Sequence, residues 1–183
     1  MSKSAELFLI SEGASNKKKA IVFIHGLSGH ELETWKKKGS PPLPVIFSND
    51  EDLSDFNIYS FGYPTGFFLK QYNIEQISRM LVTQIKNKLK NETSIYFITH
   101  SQGGIIGRNT ILHLLEKGDT DQAERIKGIV YFAVPFGGAI GGTFMKYLAA
   151  FFPSILGKWI FSVQGLSLSL LSDELGLIRE RWT

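Results

Sequence analysis

Ser101 is the residue of this 183-residue chain whose setting most suits nucleophilic chemistry. It stands in Thr99-His100-Ser101-Gln102-Gly103-Gly104, where a stiff apolar run meets an amphipathic one. A hydroxyl that attacks a carbonyl carbon must be exposed, rigidly held and close to donors for the oxygen that becomes negative. A strand that turns sharply into a helix supplies all three, provided its neighbours two positions away are small. Gly103 meets that need after the serine, whereas Thr99 stands where a glycine would be usual. The Gln102 amide would open the helix and face the developing oxyanion, aided by the helix N-terminus. A second donor has to come from another loop. His25-Gly26-Leu27 offers the Leu27 amide, with Gly26 allowing close approach and His25 shaping the loop. A serine in a glycine-rich turn also reads as a helix cap. The two loops in this order at one sheet edge favour the nucleophile instead.

The base that such a serine requires is harder to find. The chain has four histidines, His25, His30, His100 and His113, and none follows Val134. His113 lies twelve residues along the helix, roughly 18 Å away at about 1.5 Å per residue. The side chain of His100 should diverge from that of its neighbour Ser101. His30 remains as the candidate base, in the loop after the first buried strand. Asp119 and Asp121 fall at the far end of the helix, and Asp173 and Glu174 in a late stretch patterned for packing. A serine with no base within about 2.6–3.2 Å is a weak nucleophile at neutral pH.

The elements that must position these residues follow from hydrophobic patterning. Ala5 to Ile10 reads as an opening strand, and Lys19 to His25 as a strand buried on both faces. Trp35 and the Pro41-Pro42-Leu43-Pro44 cluster read as a surface excursion. Phe56 to Tyr63 is a third strand. Asn73 caps a helix whose apolar stripe is Ile74, Ile77, Leu81, Ile85 and Leu89. Ser94 to Thr99 is the next buried strand. Gly103 to Lys117 is a helix stopped by Gly118. Ile126 to Pro135 is a further buried strand, ending in Phe136-Gly137-Gly138. Alternating strands and helices predict an α/β fold, a mostly parallel sheet with helices on both faces. The loops after His25, Thr99 and Val134 then share the carboxyl edge, where ligands bind. One domain over residues 1–183 is expected, with 143–183 an apolar helical or lid-like region.

Composition narrows the classes. Hydrophobic residues make up 43% and charged residues 20%, which is globular rather than disordered. There is no cysteine, so disulfides, thiolate catalysis and cysteine-ligated zinc are excluded. Neither a metal nor a cofactor is expected. The net charge is only +3, with short lysine runs at Lys17 to Lys19 and Lys36 to Lys38, so nucleic acid is not an expected partner. Met-Ser-Lys-Ser-Ala-Glu leads into no long apolar signal region, and a cytoplasmic location is expected. From Ile129 to Leu171 the only charges are Lys146 and Lys158, yet no run reaches the roughly 18–20 residues of a membrane span. That region suits an acyl pocket, a lid, or a membrane-surface or self-association face.

These residues together resemble the α/β-hydrolase superfamily. The nearest likeness is to the intracellular lipase- and esterase-like branch that includes the serine-active-site-containing protein and its bacterial relatives. Val22 to Trp35 resembles that branch's His-Gly loop followed by a Thr-Trp pair. Phe97 to Gly104 resembles its nucleophile elbow, and Ile129 to Gly142 its later strand and Thr-Pro-His-x-Gly turn. Val134 and Phe136 depart from the threonine and histidine of that turn. The resemblance implies a serine hydrolase acting on carboxylic esters or lipids, with Ser101 as nucleophile and Leu27 and Gln102 as oxyanion donors. It also implies a chain order of serine, acid, histidine. The last two are not evident here, so the chain reads as a hydrolase core lacking its last strands. A degenerate, non-catalytic module that binds a partner or a membrane surface is the alternative.

Overall fold

The structure is a computed structural model that describes residues 4–14, 19–27, 29–64 and 72–134. All the described residues belong to one compact unit, Met1–Val134. The apolar region 143–183 and the Phe136-Gly137-Gly138 turn lie outside them.

Among the described residues five strands form one sheet, in the order β1-β3-β2-β4-β5. They are β1 (Glu6–Ser11), β2 (Lys19–Ile24), β3 (Phe56–Gly62), β4 (Ser94–His100) and β5 (Ile126–Phe132). Strands β3, β2, β4 and β5 run parallel, while β1 pairs antiparallel with β3. In β2 every residue from Ala20 to Ile24 is buried, which is why its sequence is apolar without alternation. Ile21 and Phe23 face one side of the sheet with Ile58 and Ile98, under Trp35 and the short helix α1 (Leu43–Ser48). On the other side lie α2 (Ile74–Lys88) and α3 (Gln102–Glu116). Helices therefore cover both faces, as the patterning predicts. Fully burying side chains such as Phe23, Phe97, Leu81 and Ile106 contributes about 1.5–3 kcal/mol each.

Helix α2 begins where Asn73 and Gln76 form a reciprocal capping box. It packs on α3 through Ser78, whose hydroxyl donates to the carbonyls of Ile74 (2.8 Å) and Ile106 (3.2 Å). The proline cluster and Trp35 depart from expectation. Prolines 42 and 44 flank the start of α1, a place where a missing amide costs nothing. The Trp35 ring packs edge-on against Phe23 at 5.1 Å, so this excursion covers the sheet. Strand β5 departs as well. Val130, Tyr131 and Phe132 are 40–47% exposed, because β5 ends the strand order and pairs with β4 alone among the described residues. The helix α4 (Thr120–Glu124) links α3 to β5.

Register sets the functional edge. Ile24 stands opposite both Phe61 and Thr99, and Thr99 opposite Tyr131. The segments that follow β2, β3, β4 and β5 thus leave the sheet at one end.

Candidate active site

Ser101 occupies the single residue between β4 and α3. Its φ is 52° and its ψ is −126°, a region that L-residues adopt only under constraint. The constraint is visible. The Ser101 amide donates to the Phe132 carbonyl at 2.9 Å, and the Ser101 carbonyl accepts from the Gly104 amide at 3.0 Å. Gly103 lets α3 start against β2, since a Cβ there would lie 2.2 Å from the Ile24 carbonyl oxygen and 2.5 Å from that of His25. Thr99 explains its own departure from glycine. It is fully buried, and its hydroxyl donates to the Val130 carbonyl at 2.9 Å, stitching β4 to β5 just below the serine. Gln102 is the first residue of α3, so its amide has no carbonyl one turn back to serve.

The loop after β2 lies against this turn. A Cβ on Gly26 would sit 2.8 Å from the Ser101 Cβ and 3.3 Å from its Oγ, so glycine is what lets the loop reach the serine. His25 is buried, with its Nδ1 2.9 Å from the Gly26 carbonyl. In the neutral ring Nδ1–H is then the donor. Among the described residues its Nε2 is buried without a hydrogen-bond partner. Burial pushes its pKa down to about 4, the Gly26 carbonyl opposing only part of that. Tyr63, just past β3, stacks on the imidazole at 4.2 Å between ring centroids, 4° from parallel. Its hydroxyl donates to the His25 carbonyl at 2.6 Å. Sequence reasoning missed Tyr63. The available signal was its place at the end of a buried strand on the same sheet edge.

The remaining histidines make their contacts elsewhere. His30 is half-exposed. Its Nδ1 lies 3.3 Å from the Leu32 amide and 3.4 Å from the Glu31 carboxylate. His100 faces Trp35, 6.3 Å between ring centroids, and burial lowers its pKa. His113 is buried in α3, with Nε2 3.4 Å from the Asn109 side-chain nitrogen and Nδ1 3.9 Å from Glu116. Asp119 pairs with Lys86 at 2.5 Å, at the far end of α3. Among the described residues no group of three or more His, Cys, Asp or Glu could hold a metal ion. No helix among them is long and apolar enough to cross a membrane.

Residues 14–145 match the family model described as "Putative serine esterase (DUF676)". The chain belongs to this family. Solved structures agree on the fold. A lipase-esterase related protein from Clostridium acetobutylicum superposes with a TM-score of 0.53 at 17% identity, over 97% of this chain and 71% of that one. Cfl2 from Burkholderia cenocepacia gives 0.52 at 14% identity, over 92% and 51%. An epoxide hydrolase from Bacillus megaterium gives 0.50 at 16% identity, over 93% and 57%. Among curated proteins none matches. The chain has the α/β-hydrolase fold and spans from about half to seven tenths of the length of these solved relatives. The family match takes in β2, β4 and β5, and with them all the site residues described above.

Proposed function

We propose that this DUF676 chain carries the nucleophile and oxyanion half of a serine esterase that acts on carboxylic esters or lipids. The Ser101 Oγ attacks the ester carbonyl carbon, and its proton passes to a base. The carbonyl oxygen becomes an oxyanion that accepts hydrogen bonds from the Leu27 and Gln102 amides. Collapse of the tetrahedral intermediate expels the alcohol, which takes up the proton, and leaves an acyl-serine. Water then releases the acid by the same steps. The observation that carries this reading is the backbone of Ser101, held at positive φ between β4 and α3 with Gly26 against it. Such strain persists where the surroundings impose it, and it aims the hydroxyl out of the strand.

The base is His30 or a histidine outside these 183 residues. The second reading, a hydrolase-fold module that binds without turning over, is favoured by the engagement of His25, His100 and His113 away from the serine. A fluorophosphonate probe tests the nucleophile, because it captures an activated serine as a covalent adduct. The expected result is one adduct, mapped by peptide mass spectrometry to Ser101 and absent from Ser101→Ala. An adduct that persists in Ser101→Ala, or no adduct on Ser101 in any longer form of the chain, would refute the assignment. Hydrolysis of p-nitrophenyl esters by this chain, abolished in Ser101→Ala, would dispose of the binding-module reading.

A further inference from the structure

We infer that Tyr63 is a positioning residue of this site, holding the His25-Gly26-Leu27 loop so that the Leu27 amide faces the Ser101 hydroxyl. The inference rests on the esterase reading and deepens it.

The argument runs through peptide geometry. The Gly26 carbonyl is committed twice, accepting from His25 Nδ1 at 2.9 Å and from the Gly29 amide at 3.1 Å. No cis peptide bond occurs among the described residues, so the Leu27 N–H points away from that carbonyl across the same planar unit. The direction of the Leu27 donor is therefore set by where His25 Nδ1 stands. Imidazole rotation about its last side-chain bond is soft. What fixes it here is the Tyr63 ring, stacked almost parallel at 4.2 Å. On the other side Gly29 leaves no slack, since a Cβ there would meet His25 Nδ1 at 2.8 Å. Phe61 in turn backs the Tyr63 ring at 5.2 Å.

The Tyr63 hydroxyl does a second thing. It donates to the His25 carbonyl, the same oxygen that a Cβ on Gly103 would approach to 2.5 Å. That bond sets how far the loop stands from the first turn of α3, whose Gln102 amide is the other proposed donor. One side chain thus sets the spacing of both donors. Phenylalanine would fill the same space without a buried hydroxyl that needs an acceptor.

Saturation kinetics of a small fluorophosphonate against the whole chain test this. They separate the limiting rate of covalent capture from the half-saturating concentration. Tyr63→Phe keeps the ring and removes the hydroxyl. We expect its limiting rate to fall roughly tenfold with the half-saturating concentration unchanged. Tyr63→Leu removes the stack as well, and a fall of roughly a hundredfold is expected. A limiting rate in Tyr63→Phe equal to that of the wild type would overturn the positioning role and leave the esterase reading standing. A rise in half-saturating concentration at constant limiting rate would overturn it too, because it would make Tyr63 a wall of the pocket. No capture on Ser101 by the wild type, in any longer form of the chain, would remove the esterase reading, and the role of Tyr63 with it.

Discussion

Ser101 holds its backbone at a cost, and that cost can be measured. A non-glycine residue at φ 52°, ψ −126° carries strain of about 1–3 kcal/mol. Ser101→Gly removes the strain together with the hydroxyl, against the greater freedom glycine has when unfolded. We expect a net gain of about 1 kcal/mol, seen as a melting temperature higher by about 3 °C for a chain of this size. Calorimetry checks this, and a lower melting temperature would show that the turn is not strained. Stability gained by deleting a side chain is the signature of a residue kept for function. Thr99 makes a complementary point. From the sequence it looks like a defect in the turn, because glycine is usual there. The structure gives its hydroxyl a partner on β5 that no glycine could reach.

The start of α3 is the element on which the site depends. Its first turn presses on β2 so closely that Gly103→Ala puts a methyl group into two backbone carbonyls. Backbone cannot swing aside as a side chain can. The variant should lose about 3 kcal/mol in urea denaturation and also label more slowly, since the Gln102 amide moves with the helix. Wild-type stability in that variant would mean that α3 does not dock as described. Elements of this kind were legible wherever one period dominated. The buried runs of β2 and β4 and the stripe of α2 lie within a residue or two of where patterning puts them. Three things were not legible. The antiparallel pairing of β1 depends on tertiary neighbours, not on its own residues. The six residues of α1 are too few to show a period against their prolines. Exposure of β5 is set by its place at the end of the strand order, while its composition is that of a buried strand.

Taken whole, the described unit keeps its proposed site and a buried polar cluster at opposite ends of the sheet. Glu92 precedes β4 at the far end from Ser101. It is buried and accepts from the Asn57 side-chain nitrogen at 2.9 Å and from the Tyr59 hydroxyl at 3.4 Å. Burial, with Glu92 beside it, pushes the Tyr59 hydroxyl up to about 12. At the Ser101 end, the buried His25 and the half-buried His100 tie stability to pH. His25 has its pKa lowered to about 4 from an ordinary 6.5. Between those values the unfolded chain takes up a proton that the folded one refuses. Stability is therefore full above pH 6.5 and is lost as pH falls towards 4. His100 is shifted in the same direction, also by burial. The loss from His25 is on the order of 3 kcal/mol. His25→Asn should flatten this slope between pH 6.5 and 4 in denaturation curves, with the part due to His100 retained. An unchanged slope would mean that His25 is not buried neutral. The proton-transfer half of the site was illegible for a plain reason: the sequence has no histidine beyond His113.

The Ser101 turn carries a consequence for handedness. Reversing the signs of its angles gives φ −52°, ψ 126°, close to the polyproline-like conformation that ordinary residues adopt freely. A D-serine at this one position would therefore sit in a relaxed backbone, but with its hydroxymethyl side chain and its Cα hydrogen exchanged. The hydroxyl would then no longer occupy the place beside Gly26. The chirality of a single carbon separates a comfortable turn from a strained one.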